Sequence, residues 1–175
     1  MVLLEKLKDE IVITPITLEE AQPFILKHYI GEKPRGIQKI YGVYHKPSGN
    51  KLVGTAIYGK PRKQATTVVQ PEVSSEEVIE LQRLFLEDYV NTKNIESYVI
   101  SHTLKLIKQD FPSVKVVITF ADEKAGHVGS IYQATNAIYL GKGSEKKHKY
   151  VYILRGNLKA LHNLLQNKPY PKLQK

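Results

Sequence analysis

The feature that most constrains this chain is an amphipathic helix pattern that leads directly into a strand of the buried type. A helix is predicted over 95–108 because its apolar positions fall on one face. That face consists of Ile95, Val99, Thr103, Leu106 and Ile107, and it is widened by Ile100 and Leu104. Pro112 ends the helix, and the run Val-Lys-Val-Val-Ile-Thr-Phe at 114–120 has the composition of a strand covered on both faces.

The N-terminal part of the sequence has the pattern of a short strand followed by a helix. A β-prone run at 11–14 precedes Thr17 and Glu20, whose spacing is that of a capping box. The box predicts that a helix starts at Leu18. Pro23 is expected to kink or split that helix, because proline removes a backbone donor from the helix interior.

Three further β-prone runs follow. Runs at 40–44 and 52–58 flank Lys-Pro-Ser-Gly-Asn at 46–50, which has turn chemistry throughout, so they predict an antiparallel hairpin. The third run, 78–86, is ambiguous. Its alternation allows a strand, whereas the preceding Ser-Ser-Glu-Glu at 74–77 has the composition of a helix cap.

The C-terminal part is predicted to contain two helices and one strand. The first helix covers 130–140 and ends at one of two glycines, the last strand covers 150–154, and a terminal helix covers 158–165 with a frayed tail beyond it. This order of elements predicts an α/β fold with a mixed sheet and helices on both faces. Residues 1–155 are assigned to the main domain and 156–175 to a basic C-terminal helix and tail.

The positive charge of the chain is concentrated near its C-terminus. The sequence has 26 Lys or Arg and 17 Asp or Glu, a net charge of +9. Residues 142–175 hold nine Lys or Arg and one Glu, a net of +8, so the remainder is nearly neutral. This pattern favours a polyanion such as nucleic acid, with a solvated tail as the alternative. The candidate phosphate contacts are Lys142, Lys146, Lys147 and Lys149, with a second patch of Lys60, Arg62 and Lys63.

Composition also excludes several classes of protein. The absence of cysteine rules out disulfides, thiolate zinc sites and a cysteine nucleophile. The six histidines do not form an H-x-x-x-H pattern, so no metal site is indicated. No run approaches the ~20 apolar residues of a membrane helix, and the N-terminus becomes charged at its fifth residue, unlike a signal peptide. We therefore expect a cytoplasmic protein.

Three positions carry side chains that suit chemistry, and each also has a structural interpretation. Arg83 lies in an apolar run and needs a partner, either a ligand or an ion pair with Glu87 or Asp122. Asp122 directly follows the buried strand and acts either as a turn cap or as a general base. Asn94 caps the helix that starts at residue 95, or with Lys93 it presents the helix amides to an anion.

A glycine loop and the helix after it are candidates to line a pocket. His127 lies between two glycines, where the backbone can approach a ligand closely. The next predicted helix carries three polar candidates, Tyr132, Gln133 and Asn136. Tyr132 and Tyr139 equally fit the commoner role of half-buried aromatic residues. Convergence of His127 in space with His28 and Asp122 is a further possibility that the sequence leaves open.

Several segments of this sequence resemble the bacteriophage Mom DNA-modification family over roughly 25–143. They are Glu-Leu-Gln-Arg-Leu at 80–84, Asn-Ile-Glu-Ser at 94–97, Phe-Ala-Asp at 120–122, Gly-His-Val-Gly at 126–129 and Ile-Tyr-Gln-Ala-Thr-Asn at 131–136. The resemblance implies a fold like that of the GCN5-related N-acetyltransferases. It also implies conversion of adenine in double-stranded phage DNA to an N6-carbamoylmethyl form, which blocks restriction in a phage-infected or prophage-carrying bacterium.

The same resemblance implies site residues. The family's active-site positions fall on Arg83, Ser97, Asp122 and Tyr132, and motif position adds Asn94, Glu96 and His127. The related acetyltransferases hold the pyrophosphate of coenzyme A with a Q/R-x-x-G-x-G/A loop, whereas 91–97 contains no glycine. The donor is therefore left open, with acetyl-CoA as one candidate. The alternative functions are an acyltransferase acting on a small amine, a protein lysine or an aminoacyl-tRNA, and a non-enzymatic nucleic-acid binder.

Overall fold

The computed structural model describes residues 2–27, 33–66, 69, 73–90, 92–143, 145–156 and 168–172. Seven strands form one sheet in the order β1-β2-β3-β4-β5-β7-β6 within these residues. The strands are β1 Ile11–Pro15, β2 Ile37–His45, β3 Lys51–Gly59, β4 Val78–Leu86, β5 Val116–Asp122, β6 Ile138–Lys142 and β7 Lys147–Ile153. The helices are α1 Val2–Glu10, α2 Leu18–Lys27, α3 Lys63–Thr66, α4 Ile95–Asp110 and α5 Ser130–Ala134.

The chain divides into two compact units. The first consists of Met1–Gly59 and Leu81–Leu106, and the second of Lys60–Glu80 and Ile107–Lys175. The predicted boundary between residues 155 and 156 stays a prediction, and the predicted helix over 158–165 lies outside the described residues. No helix within the described ranges is long and apolar enough to cross a membrane.

In the first unit, the predicted hairpin is confirmed. Strands β2 and β3 pair antiparallel, and β1 pairs antiparallel with β2. The turn is a single 3₁₀ turn over Lys46–Ser48, followed by Gly49 at φ 80° and Asn50 at φ 56°. Gly and Asn tolerate this left-handed conformation best, which is why the turn forms at this sequence.

The capping box that starts α2 is also confirmed. The Glu20 amide donates to Thr17 Oγ1 at 3.2 Å, and the Thr17 amide donates to Glu20 Oε2 at 2.8 Å. The bonds that the Thr17 amide and hydroxyl donate to the Glu20 carboxylate lower the pKa of Glu20. The predicted split at Pro23 does not occur, since the helix runs on to Lys27 with Phe24 buried.

The ambiguous run over 78–86 is a strand, β4, with Val78, Ile79 and Leu81 buried. The capping box before it closes only a 3₁₀ turn over Ser75–Glu77, in which the Ser74 amide donates to Glu77 Oε2 at 3.0 Å. Strand β3 approaches β4 closely at Gly54. A Cβ there would clash with the Phe85 carbonyl oxygen and lie 2.6 Å from Leu86 Cδ2.

Helix α4 matches its predicted face. Val99, Ile100, Thr103 and Ile107 are fully buried, and the helix ends at Asp110 ahead of Pro112. Inside the first unit, the buried Tyr58 hydroxyl lies 2.8 Å from Thr103 Oγ1, so the one polar side chain on this face is satisfied.

The second unit is built on β5, β7 and β6, which pair antiparallel in that order. Its core consists of Val69, Val73, Val78, Val116, Ile118, Leu140 and Val151. The helix predicted over 130–140 is wrong in its second half. Asn136 adopts φ 61°, the chain turns, and Ile138 starts β6, because register with β7 and burial of Leu140 favour a strand.

The structure differs from the predictions in two further places, the start of β7 and the presence of α1. The last strand begins at Lys147, three residues earlier than predicted, because Lys147 and His148 continue the ladder with β5. Helix α1 was not predicted, although Leu7 is buried at 2% exposure and anchors it.

Candidate active site

The end of β4 places Arg83 in a hydrogen-bonded setting within the first unit. Arg83 Nη1 donates to the backbone carbonyl of Gln82 at 2.7 Å. Both carboxylate oxygens of Glu87, one of the partners expected for Arg83, accept from Lys27 Nζ at 2.8 and 3.1 Å. That bond raises the pKa of Lys27. The ion pair joins Lys27, the last residue of α2, to Glu87, which directly follows β4. His28, the residue after Lys27, lies outside the described residues.

Gln82 holds a loop beside β4, a role that the sequence did not reveal. Its amide accepts from the Arg35 amide at 3.0 Å and donates to the Arg35 carbonyl at 2.7 Å, so the side chain imitates a strand partner. Gly59 leaves the room for this contact, because a Cβ there would lie 2.6 Å from Gln82 Nε2. These two bonds hold the loop at Arg35 and also Gln82, whose backbone carbonyl accepts the hydrogen bond from Arg83.

The loop before α4 has its own hydrogen bonds. The amide of Thr92 donates to Val90, and that of Ile95 donates to Thr92, at 2.9 and 3.2 Å. Asn94 is the cap position as predicted, with φ 65° and its carbonyl accepting from Tyr98 at 3.0 Å. Glu96 is exposed and Ser97 half-buried in the first turn.

The segment 91–97 lacks the glycines that are typical of a pyrophosphate cradle. Such a cradle needs several backbone amides turned toward the ligand, usually with glycines that allow close approach. Here the amides of Thr92 and Ile95 are used within the loop, and the left-handed residue is Asn94. The expectation that the donor is open, with acetyl-CoA as one candidate, stays a prediction.

In the second unit, Asp122 caps a turn, as one of its two interpretations predicted. It ends β5, and its Oδ1 accepts from the Lys124 amide at 2.9 Å. The Asp122 carbonyl accepts from the amide of His127 at 3.0 Å, which folds the glycine loop back onto the strand end. The imidazole of His127 is exposed. A role for Asp122 as a base stays a prediction.

Tyr132 lies in a tyrosine cluster, defined as Tyr132, Tyr139, His148, Tyr150 and Tyr170. Tyr132 is 9% exposed, and its ring centroid lies 5.4 Å from that of Tyr150. Tyr139 contacts Tyr150 at 5.2 Å and places its hydroxyl 2.8 Å from His148 Nδ1. Tyr132 and Tyr139 are therefore buried, and not half-buried as one interpretation of the sequence predicted.

The other two pocket candidates differ in their surroundings. Gln133 Nε2 donates to the Tyr150 hydroxyl at 3.0 Å, the Pro171 carbonyl at 3.2 Å and the Val128 carbonyl at 3.4 Å. Asn136 is exposed at the turn that ends α5. The amide donor of Gln133 is therefore used inside the protein.

The model of the Mom protein family matches residues 10–146. This chain belongs to the Mom protein family. Methylcarbamoylase Mom of Escherichia phage Mu is 36% identical to it over 118 residues, which are 66% of this chain and 46% of that protein. The Mom-family chain thus spans about half the length of this curated relative. All the motif segments quoted above lie inside the matched range.

Solved structures show the fold. Spermidine/spermine N-acetyltransferase SpeG from Vibrio cholerae has a TM-score of 0.57 at 6% identity, covering 87% of this chain and 97% of that one. Arabidopsis thaliana NAA60 in complex with acetyl-CoA also has a TM-score of 0.57, at 11% identity over 83% of this chain and 99% of its own. An N-acetyltransferase from Staphylococcus aureus Mu50 scores 0.54 at 16% identity, over 82% and 97%. The predicted acetyltransferase-like α/β fold is confirmed.

The four candidate phosphate contacts Lys142, Lys146, Lys147 and Lys149 lie on the β6–β7 hairpin of the Mom-family chain. Lys142 pairs with Glu123, which lowers the pKa of that carboxyl, and Lys147 lies 3.5 Å from Glu145. Lys146 is exposed and Lys149 half-buried. In the second patch Lys60 and Arg62 are exposed, while the side chain of Lys63 is outside the described part. Among the described residues no group of three or more His, Asp or Glu is placed to hold a metal ion.

Sequence reasoning missed His148, which is 5% exposed. Its Nε2 has no hydrogen-bond partner among the described residues. The signal was present in the alternation of His148, Tyr150 and Tyr152 along β7, which puts three ring side chains on one face. The predicted strand began two residues too late to include His148.

Burial raises the pKa of Tyr98, Tyr139 and Tyr150. A raised pKa in the folded state favours the neutral phenol, so this contribution to stability is present below pH ~10 and is lost as pH rises through the folded-state values. We expect the tyrosinate absorbance of the folded protein to lag behind that of the unfolded protein. The chain has 11 Tyr and no Trp, so tryptophan absorbance does not overlap the tyrosinate signal. Coincident titration curves in native buffer and in denaturant would contradict this expectation.

Proposed function

We propose that this chain replaces one hydrogen of the adenine N6 amine in double-stranded DNA with a carbamoylmethyl group, and so protects phage DNA from restriction. It would act in the cytoplasm of a phage-infected or prophage-carrying bacterium. The supporting observation is the family match over 10–146, which contains Arg83, Ser97, Asp122 and Tyr132. The named activity of the phage Mu relative points in the same direction.

The chemistry assigns a part to each of these residues. The adenine amine is a poor nucleophile because its lone pair is delocalised into the ring. As N6 bonds to the methylene carbon of the carbamoylmethyl group, the bond between that carbon and the donor's carrier breaks, the carrier leaves with the electron pair, and a proton leaves N6. We assign removal of that proton to Asp122, whose Oδ1 is held by the Lys124 amide, so that Oδ2 is the accepting oxygen. Tyr132 or Ser97 would polarise the donor, and Arg83 would anchor it.

The donor is unknown, and acetyl-CoA stays one candidate although the segment 91–97 contains no glycine. The target base must leave the duplex stack, as in other enzymes that modify bases, at a cost of roughly a few kcal/mol.

Mass spectrometry of cellular DNA tests the function directly. The chain is expressed in a bacterium, the DNA is digested to nucleosides, and modified deoxyadenosine is measured. A peak at the carbamoylmethyl mass supports the proposal, and a peak of another mass changes the donor. Absence of any new peak from folded protein would contradict the proposal. Thermal stabilisation by acetyl-CoA in that case would favour the acyltransferase alternative.

The β6–β7 hairpin should supply phosphate contacts. Replacing Lys146 and Lys149 by glutamine should weaken binding of duplex DNA and reduce the slope of log K against log salt by about 1.8, because each phosphate contact contributes about 0.9. The matched control replaces Lys8 and Lys105, which are exposed in α1 and α4. An equal loss of slope in both double variants would mean that net charge, and not this hairpin, drives binding.

A further inference from the structure

The described C-terminal residues 168–172, called the strap below, are bound to the second unit and are not frayed as the sequence suggested. Lys168 Nζ donates to the Leu140 carbonyl at 2.8 Å, and the Tyr170 hydroxyl donates to the Ala137 carbonyl at 2.6 Å. The Pro171 carbonyl accepts from Gln133 Nε2 at 3.2 Å. The three bonds end on Gln133 in α5, on Ala137 between α5 and β6, and on Leu140 in β6.

The backbone of β6 is shaped to receive this strap. Gly141 adopts φ 98°, and a Cβ there would lie 2.9 Å from Lys168 Nζ and 3.3 Å from its Cδ. The missing side chain thus leaves the space that Lys168 occupies. The ring of Tyr170 adds a contact with Tyr150, with centroids 6.5 Å apart.

Helix α5 needs such support. It has five residues, far below the length at which a helix is stable by itself. Gly129 at φ 84° precedes it and Asn136 at φ 61° follows it, so turns flank it on both sides. Its orientation, and with it the position of Tyr132, must come from contacts with other segments.

The side chain of Gln133 makes contacts of this kind with three other segments. One amide group has two N–H bonds, and three acceptors surround Gln133 Nε2: the Tyr150 hydroxyl, Pro171 and Val128. The Tyr150 hydroxyl in turn donates to the Val128 carbonyl. The side chain therefore joins the glycine loop, β7 and the strap, and it has no N–H left for a substrate.

We infer that the strap and Gln133 are a positioning device that holds α5, and through it Tyr132, in the geometry that the reaction requires. Gln133 is on this basis a positioning residue and not a substrate ligand. The part of the inference that concerns catalysis rests on the proposed function, whereas the part that concerns the order of α5 does not.

The test uses full-length protein and two readouts. Lys168→Met removes the donor at nearly constant length, Lys168→Arg retains a donor, and Tyr170→Phe removes only the hydroxyl. Hydrogen exchange of the peptide over 128–140 should be about fivefold faster in Lys168→Met and Tyr170→Phe, the factor expected for one lost hydrogen bond, and should return toward wild type in Lys168→Arg. Modified adenine per cell should fall by at least the same factor in Lys168→Met and in Tyr170→Phe.

The control for Tyr170→Phe is Tyr44→Phe, the same chemical change on β2, where within the described residues the hydroxyl has no hydrogen bond. Unchanged exchange over 128–140 in Lys168→Met and in Tyr170→Phe would overturn the inference, and so would faster exchange with undiminished modification. If wild-type protein makes no modified adenine, the proposed function fails, and the exchange result alone then decides whether the strap orders α5.

Discussion

Replacing Asp122 by asparagine should reduce the modified adenine recovered from cellular DNA at least about 100-fold while leaving the fold intact. A positioned general base contributes roughly 10²–10⁴-fold to a rate, and asparagine cannot accept a proton. The side chain also caps the turn after β5 by accepting from the Lys124 amide at 2.9 Å. Asparagine keeps an oxygen acceptor for that bond, so the substitution separates charge from structure.

The readouts are nucleoside mass spectrometry and the thermal midpoint of the purified variant. Asp9→Asn, the same change on the exposed side of α1, serves as the control. Wild-type amounts of modified adenine in Asp122→Asn would remove this carboxylate from the chemistry and leave it as a turn cap. A large fall in the thermal midpoint would instead show that the negative charge itself supports the loop.

The largest effect on stability should come from Gly54→Ala. A Cβ at residue 54 would overlap the Phe85 carbonyl oxygen and lie 2.6 Å from Leu86 Cδ2 and 3.2 Å from Leu86 Cα. A backbone oxygen cannot turn away as a flexible side chain can, so β3 and β4 must separate locally. We expect a loss of about 3 kcal/mol in the free energy of unfolding, the upper part of the range for overpacked cores. That loss corresponds to a fall of roughly 6–12 °C in the thermal midpoint.

Gly49→Ala provides the comparison, because nothing lies within 4 Å of a Cβ at that hairpin turn. Only its φ of 80° opposes the substitution, at a cost of roughly 1–2 kcal/mol. Denaturant unfolding of both variants distinguishes the two causes. Equal losses would mean that β4 relaxes around residue 54 without breaking its pairing.

The parts of the fold that follow from neighbouring residues could be predicted from the sequence. The capping box at Thr17 and the hairpin turn at Gly49 depend on contacts within a few residues, and the buried face of α4 follows from the helical spacing of its apolar residues. The helix predicted over 130–140 failed because Ile138 and Tyr139 are paired with Val151 and Tyr150 of β7, a contact that no local pattern encodes. Propensity alone cannot choose between helix and strand for such a run.

The same contrast between local patterns and contacts of distant residues applies to the candidate site. The capping role of Asp122 was available from its position at the end of a strand, before a turn. The double contact of Gln82 with Arg35 joins residues 47 positions apart, and that of Gln133 with Pro171 joins residues 38 apart. An amide side chain is equally suited to a ligand and to a distant backbone group, so only the structure could assign these two.

The strap also determines how the protein should be handled in the laboratory. Residues appended after the C-terminus continue from a segment whose Pro171 carbonyl and Tyr170 hydroxyl are already committed to Gln133 and Ala137. An affinity tag there would pull on the same contacts that order α5, and a weakly active preparation would then reflect the tag. A tag placed ahead of α1 adds no residues to the strap.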